Sequence, residues 1–164
     1  MRIDQYCKRA VVAIGGRSDI AEAAQLMRDR HVGFLVVFDE SDHLRRPIGV
    51  LTDRDIVLEV TALDVDPHAV TVRDIMTRQP MIARESDDLG ELMQGMRIAG
   101  IRRVPVVDSR GGLTGVIAVD DVIDVVSELM GDIAASIKTE QRQEWRARRS
   151  LLDQATATGN HAVL

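Results

Sequence analysis

Rings are scarce in this sequence: one tryptophan, one tyrosine and two phenylalanines in 164 residues. Proteins that hold nucleic-acid bases by stacking need exposed rings, so the composition argues against that mode of binding. Lysine is as rare, occurring only at Lys8 and Lys138, and nearly all positive charge is therefore arginine. Arginine's planar fork suits bidentate contacts to phosphate. A single cysteine, Cys7, rules out an internal disulfide and a multi-cysteine metal site, which makes a reducing cytoplasm the expected location. No apolar run approaches the roughly 18–20 residues of a membrane helix, and the opening MRIDQYCKRA lacks a signal peptide's apolar stretch, so no membrane partner is expected. The net charge of −5 argues against a broad nucleic-acid surface. What remains is ordinary globular material, 45% hydrophobic and 29% charged with a mean hydropathy of −0.05, enough for a real core.

The most informative feature is an internal repeat. DIAEAAQLMR (Asp19 to Arg28) lies over DLGELMQGMR (Asp88 to Arg97) at an offset of 69, and HVGFLVVFD lies over GIRRVPVVD at the same offset. The offset then falls to 66, and GVLTDRDIV (Gly49 to Val57) lies over GVIAVDDVI (Gly115 to Ile123). The length change sits in a turn, where it is tolerated. Each copy starts with a short β-type stretch, Val11 to Ile14 or Met81 to Ala83. An amphipathic helix follows, with Ile20, Ala23, Ala24 and Met27 on one stripe and Leu89, Leu92, Met93 and Met96 on the other. Two strands come next, then a second helix carrying Ile56, Val57 and Val60, or Val122, Val125, Val126, Leu129, Ile133 and Ile137. The fold class is α/β (α+β): two β-α-β-β-α repeats.

The strands are apolar on consecutive positions, so both faces of each sheet need cover. The two copies are therefore expected to pack sheet-to-sheet about a pseudo-two-fold axis, leaving two equivalent clefts. The predicted limits are 8–64 for the first repeat, 65–79 for a linker, 80–137 for the second repeat and 138–164 for an Arg/Glu-rich helical extension ending in an unpatterned tail.

Thr52 and Asp55 stand where a strand meets a helix, and a hydroxyl three residues before a carboxylate is the pattern of a capping box. A helix start at a cleft can also receive phosphate, and a carboxylate matches the adjacent hydroxyls of a ribose. The carboxylate recurs as Asp121 while Ala118 stands in place of the hydroxyl, which suggests a duty besides capping. Arg102 and Arg103 form a local basic pair in an acidic protein, as a phosphate requires. Their counterparts in the first copy, Gly33 and Phe34, carry no charge.

GVLTDRDI in the first copy, with RRVPVVD, GVIAVDDV and the linking VRDIMTRQP in the second, resembles the paired cystathionine-β-synthase (CBS) domain module. The resemblance covers Val11 to Ile137. It implies a non-catalytic sensor, usually a homodimer, that holds adenosine-type nucleotides between its repeats: AMP, ADP or ATP, or NAD or S-adenosylmethionine. Under it, Thr52, Arg54 and Asp55 with Thr77, Met81, Ile82, Arg102, Arg103 and Pro105 form one nucleotide position, Asp55 on the ribose and the arginines on phosphate. A second, weaker position uses Val12, Ile14, Ala118 and Asp121. Magnesium would enter only as a companion of the phosphates; no catalytic cofactor and no resident metal are expected.

Enzyme motifs are missing: there is no G-x-S-x-G, no phosphate-loop signature and no H-E-x-x-H. His31, His43, His68 and His161 lack ligand spacing, and Cys7 has no neighbouring base in sequence. The competing expectation is a ligand-free dimerisation or docking protein acting through its helices and the arginines Arg142, Arg146, Arg148 and Arg149. In either case the effector protein is unknown.

Overall fold

The structure, a computed structural model, describes residues 1–159; His161 and the rest of 160–164 lie outside the described residues. One compact unit, 1–122, contains both sheets, and a second begins at Ile123. The elements run β1 (Ala13–Gly15), α1 (Ile20–Arg30), β2 (Phe34–Phe38), β3 (Pro47–Thr52), α2 (Asp53–Ile56, continuing as a π-helical turn Val57–Thr61), α3 (Val72–Ile75), β4 (Thr77–Arg78), β5 (Ala83–Arg84), α4 (Leu89–Ala99), β6 (Arg103–Val107), β7 (Leu113–Ala118) and α5 (Val119–Gly159). The sheets are ordered β1-β2-β3-β4 and β5-β6-β7.

The repeat seen in the sequence recurs in the local features of the backbone. Asp19 caps α1 by accepting from the Glu22 amide, and Asp88 caps α4 by accepting from the Gly90 and Glu91 amides. Both helices end in a left-handed residue, His31 (φ 53°) and Gly100 (φ 66°). Both β2–β3 and β6–β7 shift register at the same place, Val37/Phe38 and Val106/Val107. The first strand starts later than the sequence suggests, at Ala13 instead of Val11 and at Ala83 instead of Met81. β5 is also shorter than β1. The Val36 amide donates to the Val12 carbonyl (3.2 Å), but its counterpart in β6 is Pro105, which has no amide hydrogen.

Residues 1–8 and 71–78 act as exchanged arms, each packed on the repeat that does not directly follow it. Ile3, in a 3-10 turn (Ile3–Gln5), is fully buried in the second repeat's core with Ala83, Leu89 and Met96. Val72 of α3 is fully buried in the first repeat's core with Ile20, Leu35 and Leu51. Their hydrogen bonds match as well: the Ile3 amide donates to the Asp87 carbonyl (3.1 Å), the Val72 amide to the Ser18 carbonyl (2.9 Å). Lys8 then bridges Val116 of β7, as Thr77 of β4 pairs with Val50 of β3. Each sheet is thus edged by the segment ahead of the other repeat, a fourth strand in the first sheet and a single bridge in the second, and a reciprocal loan of this kind relates the repeats by an approximate two-fold.

Val36 and Pro105, which correspond, are fully buried yet belong to neither helix-side core, so each sheet is covered on its second face too. The helical stripes need three corrections. Ala24 is exposed, and Leu26 packs against the core in its stead. Val57 is exposed, as is its counterpart Ile123, while Val60 in the π-helical turn is buried. From Ile123 onward the apolar stripe of α5 (Val126, Leu129, Ile133 and Ile137) is solvent-facing in the single chain. α5 runs unbroken through residue 138 to Gly159, so the first residues of the tail, Thr156 to Gly159, are helical.

Candidate functional site

At the β3–α2 junction the capping pattern is realised. The Thr52 amide (2.8 Å) and hydroxyl (2.7 Å) donate to Asp55 Oδ2, and the Asp55 amide donates back to Thr52 Oγ1 (3.2 Å). At β7–α5 the same backbone arrangement survives without the hydroxyl: the Ala118 amide donates to Asp121 Oδ2 (3.1 Å). Asp121 therefore has a structural duty even where Ala118 cannot join the cap. It is the one buried charged residue in 1–122, 8% exposed, and its Oδ1 is met by Lys8 Nζ at 2.6 Å. A buried carboxylate needs such partners, because leaving water alone costs it several kcal/mol or more.

Beside Asp121 lies a hollow of about 280 Å³, near the lower bound for small-molecule pockets. Three segments form it: the chain entering β1 (Lys8, Ala10, Val11, Val12), the turn from α1 into β2 (His31, Val32, Gly33, Phe34), and the β6–β7–α5 edge (Arg103, Val116, Ala118, Asp120, Asp121). Pairing of Arg103 with Ala118 across β6–β7 brings the guanidinium to the same rim as the carboxylate. Apolar strand residues thus face a buried acid at one end, with arginine and lysine close by. This is a shape for a flat apolar group joined to a hydroxylated and an anionic part.

The expected residues separate into groups. Val12, Ala118 and Asp121 share this hollow, whereas Ile14 is 7% exposed and belongs to the first core. Arg103 lines the hollow of Asp121, so that side does have a cation for phosphate, although Gly33 and Phe34 carry none. Thr52, Arg54, Asp55, Thr77, Met81, Ile82 and Arg102 do not line it. Among them Met81 packs against the second core and Ile82 is 41% exposed. Pro105 is fully buried and presents no surface to a ligand. Lys8, His31 and Asp120 also line the hollow, and the sequence reading placed none of them in a nucleotide position. The offset of 69 held a signal for the first, since it sets Lys8 against Thr77. Among the described residues no three His, Cys, Asp or Glu side chains are placed to hold a metal ion. Cys7 is half-buried, and burial pushes its thiol up, away from the reactive thiolate.

Comparison with known proteins agrees with the duplicated architecture. The CBS domain family matches residues 3–62 and again 72–128, in phase with the exchanged arms. The chain belongs to the CBS-domain family and carries the tandem pair typical of regulatory modules. "Uncharacterized protein MK0525" of Methanopyrus kandleri is 33% identical over 86% of this chain and 70% of its own length. Hypoxic response protein 1 of Mycobacterium tuberculosis is 30% identical over 68% of this chain and 76% of its own. Among solved structures, the CBS domain protein PAE2072 of Pyrobaculum aerophilum complexed with AMP has a TM-score of 0.67 and 28% identity, over 74% of this chain and 89% of that one. Among the described residues no helix is long and apolar enough to cross a membrane.

Proposed function

We propose that the chain is a cytoplasmic, non-catalytic sensor that binds an adenosine-type nucleotide in the hollow of Asp121 and Arg103. The observation that carries this reading is a carboxylate nine-tenths buried at the end of an apolar hollow whose rim also holds an arginine. Val12, Val32 and Val116 would flank the base, Asp121 would take the ribose hydroxyls, and Arg103 the phosphate. The structural relative complexed with AMP supports the ligand class. Thr52, Arg54, Asp55 and Arg102, with Thr77, Met81 and Ile82, form a second position, related to the first by the internal repeat. Magnesium would enter with a di- or triphosphate. Self-association into a homodimer is supported by corresponding exposed apolar residues of the two repeats, Val57 (54%) and Ile123 (56%).

The test is thermal denaturation with AMP, ADP, ATP, NAD and S-adenosylmethionine. A ligand at 100 times its Kd adds about 2.7 kcal/mol, roughly 5–10 °C in Tm for a chain of this size. Asp121→Asn, which keeps an acceptor for the Ala118 amide, should abolish most of the shift, and Arg103→Ala should weaken phosphorylated ligands more than adenosine. Absence of any shift at millimolar ligand overturns the reading. It would turn attention to docking through α5, on which Ile123, Val126, Met130, Ile133 and Ile137 form an exposed stripe at heptad spacing.

A further inference from the structure

The two repeats carry their motif acid in the same backbone setting but with different partners. Asp55 is closed by the hydroxyl of its own cap, whereas Asp121 has lost that hydroxyl to Ala118 and is met by Lys8 from the exchanged arm, 113 residues earlier in the chain. The backbone of Lys8 is fixed, its amide donating to the Val116 carbonyl (2.9 Å) and its carbonyl accepting from the Val116 amide (3.0 Å). The side chain is 73% exposed while that of Asp121 is 9% exposed. A compact ammonium on a flexible stem therefore sits at the mouth of the hollow, covering one oxygen of its only buried acid, with Arg103 on the same lining.

We propose that Lys8 makes this hollow selective for phosphorylated ligands. The inference rests on the nucleotide reading above and concerns the class of ligand admitted. To place a ribose on Asp121, a ligand must take Oδ1 from the ammonium. A neutral nucleoside breaks the ion pair with Asp121 and supplies no anion in exchange, which works against that ligand. A nucleoside phosphate exchanges one anion for another: Lys8 swings from the carboxylate to the phosphate beside Arg103, and Oδ1 passes to the ribose hydroxyls. The other repeat has Thr77 at the position of Lys8, so it has no such selector.

The experiment is calorimetric titration of the full chain with adenosine and with AMP, for the native protein and for Lys8→Met, Lys8→Thr and Lys8→Arg. The native chain should prefer AMP by about tenfold or more, the size of one charged hydrogen bond. Lys8→Met should bind adenosine more tightly and AMP more weakly, so that the preference falls by about tenfold, while Lys8→Arg keeps it. Lys8→Thr, which installs the other repeat's residue, should behave as Lys8→Met and serves should the latter fail to fold. Equal changes for both ligands mark Lys8 as a purely structural partner of Asp121 and overturn the proposal. If neither ligand binds native or variant chains of unchanged circular dichroism, the nucleotide reading itself falls, and the selector with it.

Discussion

The two repeats share their backbone plan and differ in electrostatics. Caps, left-handed helix ends, register shifts and borrowed edges all correspond, yet the first repeat closes its motif acid with a neighbouring hydroxyl and the second closes it with a lysine from a distant arm. Local closure holds Asp55 Oδ2 between the amide and the hydroxyl of Thr52. Long-range closure leaves Asp121 with a partner that can leave, since the lysine head is largely in water. Core positions correspond as apolar pairs (Leu51 and Ile117, Ile3 and Val72), while the rim positions do not (Phe34 and Arg103, Thr77 and Lys8).

The largest test of this comparison concerns the exchanged arms. Ile3→Ala removes a fully buried side chain, at an expected cost of about 2–5 kcal/mol. If the arm serves the repeat it is packed in, hydrogen exchange should quicken in α4 and β6 before α1 and β2; the reverse order would break the assignment. A smaller effect is expected at the cap. Thr52→Ala gives the first repeat the second's motif and should cost about 1 kcal/mol by urea denaturation, while Ala118→Thr should act in the opposite direction.

The smallest effect is in pH. Asp19, the α1 cap, lies 3.0 Å from His68 Nδ1, and this hydrogen-bonded carboxylate raises the imidazole above its usual value. A raised histidine contributes stability in full below its unfolded value near 6.5, and loses it as pH rises through the folded value. Asp19 itself is lowered, first by the Glu22 amide and then by His68, so its contribution is present above about 4 and is lost as pH falls. Denaturation of native and His68→Ala chains across pH 5 to 8 should therefore diverge at the acid end and converge at the alkaline end; NMR titration of His68 should give a value above 6.5.

Much of this was legible in the chain itself. A repeat at offset 69 with apolar strands and capped helices announces two α/β units covered on both faces, since burial of alternating and consecutive apolar residues dictates layers. The late start of β5 was legible in principle, because Pro105 cannot donate. The repeat suggests grouping Arg103 with Asp55; the pairing of Arg103 with Ala118 adds that it also lines the hollow of Asp121, which only the strand register reveals. The arms were missed because YCKRAV and the segment around Thr77 share little beyond their spacing.

Sequence alone determined the units: local capping, strand pattern and apolar periodicity are properties of neighbouring residues, and they follow the chain wherever it goes. Which arm completes which sheet, and so which cation meets which acid, was decided by tertiary structure. Those contacts join Lys8 to Asp121 and Ile3 to Met96 across a hundred residues, and a distance of that kind is set only when two cores close against each other.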